Sequence, residues 1–499
     1  MRHGEPIRRV SVRRRWLERA SVTLGLALTG VFISAGCARS AAPAYDESEA
    51  RPGGETTTSD FPFPSSELPA RNLPQQAKPS FFAGKALAHQ PWVKAPTTTD
   101  ARDGLGPLYN ARTCLDCHQK GGRGSVPEDE DRPLASSVLR LSVPGDDARL
   151  GAVPEPSYGL QLQTRSTALG HELRERVAEA VAASVPPEAR VRVRWKAESF
   201  TYPDGQRVAL RRPLVELDEL GYGPLHRDAR FSLRVAPPIH GMGLIERIDP
   251  RDLDVLEDSD DVNRDGISGR ANRVWDFQSG NPAKGRFGYK ASRATLETTV
   301  ALAFAEDIGI TSALFPEQVC TSPQKNCREQ AHGAPPGAVE LSDELLALVV
   351  GFTQNLGVPA RRAPKDGVAL AGRARFYEVG CTSCHHPRFE TKPSRAQPHL
   401  GEQVIWPYSD FLLHDMGPEL ADHRTDYEAS GREWRTAPLW GVGLSASIAG
   451  VESYLHDGRA RSLEEAILWH GGEAEVTKRR FVALSRSERN ELLAFLSWL

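Results

Sequence analysis

Two copies of the pattern Cys-x-x-Cys-His constrain this chain more than any other feature of its sequence. They read Cys114-Leu-Asp-Cys117-His118 and Cys381-Thr-Ser-Cys384-His385. In a chain with 7 Cys and 14 His among 499 residues, about 0.003 copies are expected by chance. On one helical turn, two thiols three positions apart reach the vinyl groups of one porphyrin, and the adjacent His lies beneath the iron. The sequence therefore predicts two covalently attached haem c groups, with His118 and His385 as iron ligands.

Two other uses of paired cysteines compete with this interpretation. A thioredoxin-like redox pair needs no His after its second Cys. A structural zinc site would use both cysteine pairs and leave both His residues unexplained. Haem attachment accounts for all three residue types in each copy and is therefore favoured.

The N-terminal 36 residues have the layout of a cleaved export signal. Arginines among residues 8–15 precede an apolar run over 21–33, which is too short to span a bilayer comfortably, and small residues then precede Cys37. Cys37 either receives a lipid anchor or simply follows the cleavage site. Residues 37–80, rich in Ala, Pro, Ser, Thr and Glu, are predicted to be a flexible spacer. We expect an exported, periplasmic protein that is soluble or tethered as a lipoprotein.

The charge balance bears on the kind of partner, and two of the remaining cysteines are candidates for a disulfide. Lys and Arg total 62 against 65 Asp and Glu, so no bulk basicity points to nucleic acid. Cys320 and Cys327 enclose a short loop, and in an oxidising compartment they are expected to form a disulfide, the alternative being two free thiols.

Two methionines lie in matching settings and are candidate sixth ligands of the haem irons. They occur in His240-Gly-Met242-Gly and His414-Asp-Met416-Gly. Thioether sulfur is a common axial ligand of electron-transfer haems. Packing in the core is the alternative for either Met, and His240 or His414 is the competing ligand.

An internal repeat predicts two copies of one domain. The run Pro238-Ile-His-Gly-Met-Gly-Leu244 aligns with Pro438-Leu-Trp-Gly-Val-Gly-Leu444, and the capped segments 295–307 and 462–469 follow in equivalent places. The predicted fold class is mainly α, with two tandem cytochrome c-like haem domains, the first carrying a small β-rich insertion. The boundaries are 1–36 for the signal, 37–80 for the spacer, 81–310 for the first haem domain, 138–235 for the insertion, 311–365 for the connection and 366–499 for the second haem domain. Further helices are predicted at 171–183, 343–356, 369–379 and 486–499.

The loop 258–270 is a candidate calcium site. Asp261, Asn263 and Asp265 at alternate positions, followed by Gly266, match the first half of an EF-hand-type loop. The twelfth position is Asn272 instead of the bidentate Glu, so part of the ligand set must come from elsewhere; a solvated acidic turn is the alternative.

Taken together, the motifs resemble the dihaem oxidoreductase family within the dihaem cytochrome c peroxidase superfamily. The resemblance covers residues 80–499. It rests on both haem motifs and on Asp265-Gly-Ile-Ser-Gly-Arg270, Leu412-Leu-His-Asp-Met-Gly417, Trp434-Arg-Thr-Ala-Pro-Leu-Trp-Gly441 and Leu455-His-Asp-Gly-Arg-Ala460.

This resemblance implies a reaction and a division of labour. The N-terminal haem would reduce hydrogen peroxide to water, and the C-terminal haem would take electrons from a small redox protein, either a cytochrome c or a cupredoxin. Calcium would lie between the domains. By the same resemblance, Asp307 or Glu306 would be the catalytic acid and base. The alternatives are a dihaem electron carrier without turnover and a dihaem oxygenase or protein-modifying enzyme.

Two positions depart from the pattern of that superfamily. Thr299 stands where a Gln is usual, and Glu433 stands near the position of the Met that usually binds the electron-transfer haem. Met416 is the predicted substitute ligand. Trp434 and Trp440 are candidates for an electronic bridge between the haems, with core packing as the alternative.

Overall fold

The computed structural model describes residues 42–59, 67–98, 102–167, 185–330 and 333–499. The helices among them are α1 (Lys78–His89), α2 (Cys114–Cys117), α3 (Met242–Glu246), α4 (Pro250–Leu256), α5 (Leu296–Ala303), α6 (Lys325–Arg328), α7 (Asp343–Gln354), α8 (Gly367–Val379), α9 (Ser445–Ala449), α10 (Leu463–Trp469), α11 (Glu475–Ala483) and α12 (Arg486–Trp498). The strands are β1 (Leu108–Tyr109), β2 (Ser137–Ser142), β3 (Arg165–Ser166), β4 (Arg190–Thr201), β5 (Arg207–Asp218), β6 (Arg230–Val235), β7 (Arg273–Asp276), β8 (Asn281–Lys284), β9 (Phe389–Glu390), β10 (Val404–Ile405), β11 (Leu413–Asp415) and β12 (Glu433–Arg435). A π-helical turn (Phe304–Ile308) continues α5.

Each haem motif follows a helix that packs closely on the last helix of its half of the chain. In the first half α1 crosses α7 at Gly84, where an added Cβ would lie 2.0 Å from the carbonyl oxygen of Leu348. In the second half α8 crosses α12 at Gly372, where a Cβ would lie 1.9 Å from the carbonyl oxygen of Glu491. Only glycine allows backbones to approach this closely. The same crossing therefore occurs once for each motif, although α7 belongs to the segment 311–365 that the sequence assigns to the connection.

The predicted fold class, mainly α, is wrong. The structure is 31% helical and 19% strand, and the strands of the described residues form six separate two-stranded antiparallel sheets. With 43 Gly and 37 Pro, the chain repeatedly interrupts its helices, and several of its strand pairs are only two to four residues long. Pairs this short have too few residues to show the alternation by which strands are recognised in a sequence.

Two of these sheets lie within the predicted β-rich insertion. Strands β2 and β6 pair from Ser137 opposite Val235 to Ser142 opposite Arg230. Strands β4 and β5 form a ribbon of 12 residues each, closed by a turn in which Gly205 takes φ 84°. This ribbon reaches the second half of the chain, where the hydroxyl of Tyr202 donates to Glu464 at 2.9 Å.

Most predicted helices within the described residues form close to their expected bounds. Three of these predictions correspond to α7, α8 and α12, and the segments 295–307 and 462–469 contain α5 and α10. Thr295 and Ser462 cap α5 and α10 as predicted, since each side-chain oxygen accepts a backbone N–H of the first turn. The predicted disulfide between Cys320 and Cys327 is confirmed.

Several predictions about the N-terminal region fall on residues that the structure does not describe. The export signal and Cys37 lie outside the described residues, as does the predicted helix 171–183. Of the two compact units in the chain, Met1–Ala38 is likewise outside, and Arg39–Leu499 holds both motifs. Within the described ranges, none of the helices combines the length and apolar character that crossing a membrane requires.

Candidate haem sites and their surroundings

The first motif forms a single tight turn whose start is fixed by a side-chain cap. Thr113 accepts the backbone N–H of Asp116 at 2.9 Å, and the Asp116 carboxylate accepts the backbone N–H of Thr113 in return. The backbone N–H of His118 donates to the carbonyl of Cys114 at 3.0 Å. Both cysteines and His118 therefore lie on one helical turn, as attachment of one porphyrin requires.

The second motif repeats this geometry after α8. Gly380 ends α8 with φ 92°, and the backbone N–H of His385 donates to the carbonyl of Cys381 at 2.9 Å. None of the four motif cysteines forms a disulfide. Burial raises the pKa of the Cys114 and Cys381 thiols to about 12, whereas the attacking thiol of a thioredoxin-like pair has a lowered pKa.

The two motif histidines are oriented in the same way. The Nδ1 atom of His118 lies 2.7 Å from the carbonyl oxygen of Pro237, and that of His385 lies 2.8 Å from the carbonyl oxygen of Tyr408. A carbonyl only accepts, so Nδ1 carries the proton and Nε2 keeps its lone pair. Burial lowers the pKa of His118 and lowers that of His385 to about 4. Neutral imidazoles with a free Nε2 are the form that binds iron.

A cavity of about 290 Å³ adjoins the second motif and extends toward the first half of the chain. Phe376, Leu439, Ile467 and Leu496 supply apolar walls around Cys381, Cys384 and His385. Arg123, Arg286 and Arg435 also line it, and none of the three pairs with a carboxylate among the described residues. Each of these guanidinium groups donates to backbone carbonyl oxygens and keeps its charge uncompensated by a carboxylate. Apolar walls with such cations match a porphyrin that carries two propionates, so these residues fit haem.

Two side chains on this cavity could supply a sixth iron ligand at the second motif. Met416, predicted from the sequence, lines the cavity. His470, which the sequence interpretation missed, also lines it, and its Nδ1 lies 2.7 Å from the carbonyl oxygen of Ala466. His470 therefore presents a free Nε2, as the two motif histidines do. Its position directly after α10, a helix of the internal repeat, was the available signal.

His414 has no nitrogen free for iron, although it is close to the second motif. Its Nε2 lies 2.9 Å from Asp410 Oδ2 and its Nδ1 lies 2.7 Å from Glu473 Oε2. The Cys384 sulfur is 3.6 Å from the same Nδ1. Cys384, Asp410 and His414 place their ligand atoms within 4.8 Å of one another, the arrangement of metal-binding atoms that stands out in the described chain. Two carboxylates, Asp410 and Glu473, thus hold this imidazole beside Cys384.

Met242 and His240 line the same cavity. They follow a segment held to the first motif, since the Pro237 carbonyl accepts from His118 and the Ile239 N–H donates to Gly121. The Nε2 of His240 is 3.2 Å from the carbonyl oxygen of Trp440, and its buried Nδ1 has no hydrogen-bond partner in the described chain. The segment that carries Met242 therefore contacts the His118 side of the first motif.

Asp307 and Glu306 are brought against the first motif by the π-helical turn. The backbone N–H groups of Asn110 and Ala111 donate to the carbonyl of Asp307 at 2.8 and 2.9 Å, which ties the turn to the segment preceding α2. The negative charge of Asp307 acts on the Cys114 and Cys117 thiols. π-Helical turns occur frequently at functional sites. Asp307 therefore lies beside the first motif, and the Glu306 carboxylate next to it in the chain is directed to Arg140.

The two carboxylates differ in their partners. Glu306 forms an ion pair with Arg140, and both side chains are nearly buried. Asp307 accepts a hydrogen bond from Gln161 Nε2 at 2.7 Å and pairs with no cation among the described residues. Removal from water raises the pKa of Asp307 to about 6. Such a carboxyl group exchanges protons near neutral pH.

Gln161 is a second residue that the sequence did not reveal. Arg140 donates to its Oε1 at 3.1 Å, which orients its Nε2 toward Asp307 and the carbonyl of Glu306. Thr299 stands where the superfamily usually has Gln, and its hydroxyl bonds the carbonyl of Thr295. The side-chain amide that bonds Asp307 therefore belongs to Gln161, which lies in another part of the chain. No sequence motif around Gln161 indicates this role.

The candidate calcium loop is folded by its own side chains. Asp258, Asp261, Asn263 and Asp265 each accept backbone N–H groups from within the loop. Asn272, the twelfth position, is buried and bonds the carbonyls of Lys290 and Asp426. Asn272 is thus used elsewhere and does not complete an EF-hand ligand set.

The end of this loop contacts the second half of the chain. The N–H and hydroxyl of Ser268 donate to Glu473 at 3.0 and 2.8 Å, and Arg270 forms two hydrogen bonds with Glu433. Glu473 is the residue that clamps His414. Glu433 therefore serves as the ion-pair partner of Arg270.

The two candidate bridging tryptophans have different surroundings. Trp434 stacks on His456 with 3.6 Å between centroids, and Lys290 Nζ lies 4.5 Å from its ring centroid. Trp440 lies over Gly241, and its ring has no cation contact within the described ranges. A cation on its face makes loss of an electron from Trp434 costly, which favours Trp440 as the bridge.

Comparison with known proteins agrees with this geometry. Residues 45–499 match the family described as "Di-haem oxidoreductase, putative peroxidase". Among solved structures, the diheme peroxidase BthA from Burkholderia thailandensis E264 is similar at 13% identity, with 89% of this chain and 91% of that chain covered and a TM-score of 0.33. At this TM-score the similarity supports no further conclusion. No curated protein sequence matches.

The chain therefore belongs to the di-haem oxidoreductase family. It is an oxidoreductase enzyme of the peroxidase type, and membership of the family implies haem cofactors.

Proposed function

We propose that this enzyme reduces hydrogen peroxide to water at the first motif and receives electrons at the second. The observation that carries the proposal is the placement against the first motif of a carboxyl group, Asp307, that pairs with no cation among the described residues, whereas the carboxylates beside the second motif, Asp410 and Glu473, are both bonded to His414. An acid–base carboxylate, Asp307, adjoins the first motif, whereas His470 and Met416, two possible iron ligands, adjoin the second. A substrate site needs an open iron position and a proton carrier, and an electron-transfer site needs neither.

Covalent attachment of both haems follows from the arrangement of the motifs. The turn geometry of each motif supports thioether bonds from Cys114 and Cys117 to one haem, and from Cys381 and Cys384 to the other. His118 and His385 would bind the irons through Nε2. Arg123, Arg286 and Arg435 would hold the propionates.

The protein side chains handle the protons of the reaction. Haem iron bound at the first motif would supply the redox chemistry that cleaves the O–O bond. Asp307 would take a proton from one peroxide oxygen and return it to the other, which leaves as water. Two electrons from the donor protein and two protons from solvent complete the conversion of one peroxide to two waters. Gln161 holds the Asp307 carboxylate in place during this exchange.

Glu306 is a supporting residue in this scheme. Its carboxylate is paired with Arg140, and loss of this partner would leave a nearly buried cation unpaired. Arg140 also orients Gln161. Two neighbouring carboxylates thus have separate tasks because their surroundings differ.

The remaining parts of the proposal concern partners and location. A small cytochrome c or cupredoxin is the proposed electron donor, and calcium is proposed in the loop 258–270. Export to the periplasm, with either simple cleavage or a lipid anchor at Cys37, rests on the sequence alone. Haem c attachment after export is consistent with this location.

Peroxide turnover with a reduced small cytochrome c tests the proposal. We expect Asp307→Asn to lower kcat/KM by about 10²- to 10⁴-fold, because an amide cannot carry the proton. Glu306→Gln, assayed at a temperature where it is folded, is the control and should lose less than about tenfold. Equal rates for Asp307→Asn and the wild type would contradict the proposal. No turnover by the wild type, with two low-spin haems, would favour the electron carrier instead.

A further inference from the structure

The segment 42–58, here called the N-terminal strap, packs against the second haem motif although it lies at the far end of the chain. Its turn Glu47–Ala50 places Ser48 and Glu49 on the loop that follows the second motif. Ser48 Oγ accepts from Trp406 Nε1 at 2.9 Å, and the Trp406 N–H donates to the carbonyl of Pro52 at 2.8 Å. The first part of the predicted spacer is therefore integrated with the second half of the chain.

The carboxylate of Glu49 is the centre of this contact. Its side chain is fully buried and accepts from Arg373 Nε and Nη2, at 3.0 and 2.6 Å, and from Arg361 Nη1 at 2.8 Å. The phenol of Tyr408 donates to the same carboxylate at 2.9 Å. Burial of a carboxylate is costly unless it is paired, and here two guanidinium groups and a hydroxyl satisfy it.

Tyr408 connects this buried carboxylate to the second motif histidine. Its backbone takes φ 51°, a left-handed conformation that is unfavourable for tyrosine, and its carbonyl accepts from His385 Nδ1 at 2.8 Å. The Tyr408 ring is held edge-on by Phe376 and Phe495. One residue therefore bonds Glu49 through its side chain and His385 through its backbone.

The histidine of the first motif bonds a different kind of residue from that of the second. His118 donates to the carbonyl of Pro237, a residue without a side-chain donor that could bond a buried carboxylate. At the second motif, the residue whose carbonyl accepts from the motif histidine is also bonded to a buried carboxylate, Glu49. Pro237 cannot form such a bond at the first motif.

We propose that Glu49 is a positioning residue for the second haem, which sets the orientation and basicity of His385 through Tyr408. This inference rests on the proposed binding of iron by His385. A partner that accepts the second N–H of a ligand imidazole makes the imidazole a stronger donor to the metal. A more basic ligand stabilises ferric iron, so the strap lowers the reduction potential of the second haem.

The test is a spectroelectrochemical titration of the full-length holoprotein and its variants. Tyr408→Phe removes only the hydroxyl that reaches Glu49, and Glu49→Gln removes the charge. Glu55→Gln, at an exposed carboxylate of the same strap, is the matched control. A variant with Cys381→Ser and Cys384→Ser identifies which potential belongs to the second haem.

We expect Tyr408→Phe and Glu49→Gln to shift the midpoint potential of the second haem to a higher value, with the first haem and Glu55→Gln unchanged. If Glu49→Gln does not fold, Tyr408→Phe alone decides. A Tyr408→Phe protein that keeps two haems, peroxide turnover and the wild-type second potential would overturn this inference alone. Equal shifts of both haems would also overturn it, and absence of haem from the wild-type second motif would overturn the ligation by His385 as well.

Discussion

Asp307 and Glu306 show at the scale of single residues how position in the fold separates chemically similar groups. They are adjacent in the chain, yet one is paired with Arg140 and the other only accepts an amide hydrogen bond from Gln161. The sequence, with its resemblance, named both carboxylates but offered no reason to choose. The choice depends on Arg140 and Gln161, which are distant in sequence and carry no motif.

The raised pKa of Asp307 predicts the pH dependence of turnover. Because Asp307 must be ionised to take a proton, kcat/KM for peroxide should fall as the pH drops below about 6. The hydrogen bond from Gln161 favours the ionised form. Gln161→Leu should therefore raise this pKa and move the acidic limb to higher pH. Gln163→Leu, two residues away with its amide on Glu306, is the control and should leave the limb in place. If the acidic limb of the pH profile stays in place in both variants, Gln161 does not lower the pKa of Asp307.

His470 provides a second prediction at this scale. Its free Nε2 faces the cavity of the second motif, so we expect it to bind the second iron in preference to Met416. His470→Ala should convert the second haem from low spin to high spin in electron paramagnetic resonance, and Met416→Leu should not. The reverse result would assign the ligand to Met416.

The helix crossings are the features that matter most at the scale of elements. Both crossings use a glycine that faces a backbone carbonyl. Because α8 leads directly into the second motif, its close approach to α12 fixes the position of that motif. The helices were predictable because each runs for 12 or 13 residues after a polar cap, and α7 and α12 also have an apolar face. The partner of each helix was not predictable, since no pattern within a helix names its neighbour.

Substitution at these glycines tests the crossing directly. Gly372→Ala places a methyl group against the Glu491 carbonyl and should destabilise the protein by about 1–3 kcal/mol. Gly367→Ala, at the start of the same helix with open space around it, should be neutral or stabilising by up to about 1 kcal/mol. Thermal unfolding of the two holoproteins gives the comparison. A loss of stability at Gly367 as large as that at Gly372 would contradict the close crossing.

The strands and the π-helical turn were harder to foresee. The long ribbon β4–β5 was signalled by alternating Val and Arg and by the Pro-Asp-Gly turn, and both strands form. The strand pairs of two to four residues carry no such period. The turn at Phe304–Ile308 reads as ordinary helix in sequence, because the residues that hold it, Asn110 and Ala111, come from another segment.

At the scale of the whole molecule, parts of the first half complete the second. The ribbon reaches Glu464, the strap reaches Tyr408, and the candidate calcium loop reaches Glu473. The sequence predicts two copies of one domain; a glycine crossing of two helices occurs once for each motif, and both motifs lie in one compact unit, Arg39–Leu499. Contacts between the copies depend on residues hundreds of positions apart and could not be derived from periodicity.

The contact between the calcium loop and Glu473 gives a prediction at this scale. We expect the purified holoprotein to bind one calcium ion through the loop, and Asp261→Asn to abolish binding, as measured by equilibrium dialysis with metal analysis. Asp252→Asn, in the nearby helix α4, is the control. Since Ser268 bonds the residue that clamps His414, chelation should also change the spectrum of the second haem. Equal calcium binding by Asp261→Asn and the wild type would show that the loop is only a solvated turn.

The central claim is that both Cys-x-x-Cys-His motifs carry covalently attached haem, and the intact mass of the denatured, purified protein tests it most directly. The account predicts the mass of the mature polypeptide plus two haem groups. It also predicts the loss of one haem group in the variant with Cys381→Ser and Cys384→Ser. The mass of the bare polypeptide, with all four motif thiols free to react, would contradict it.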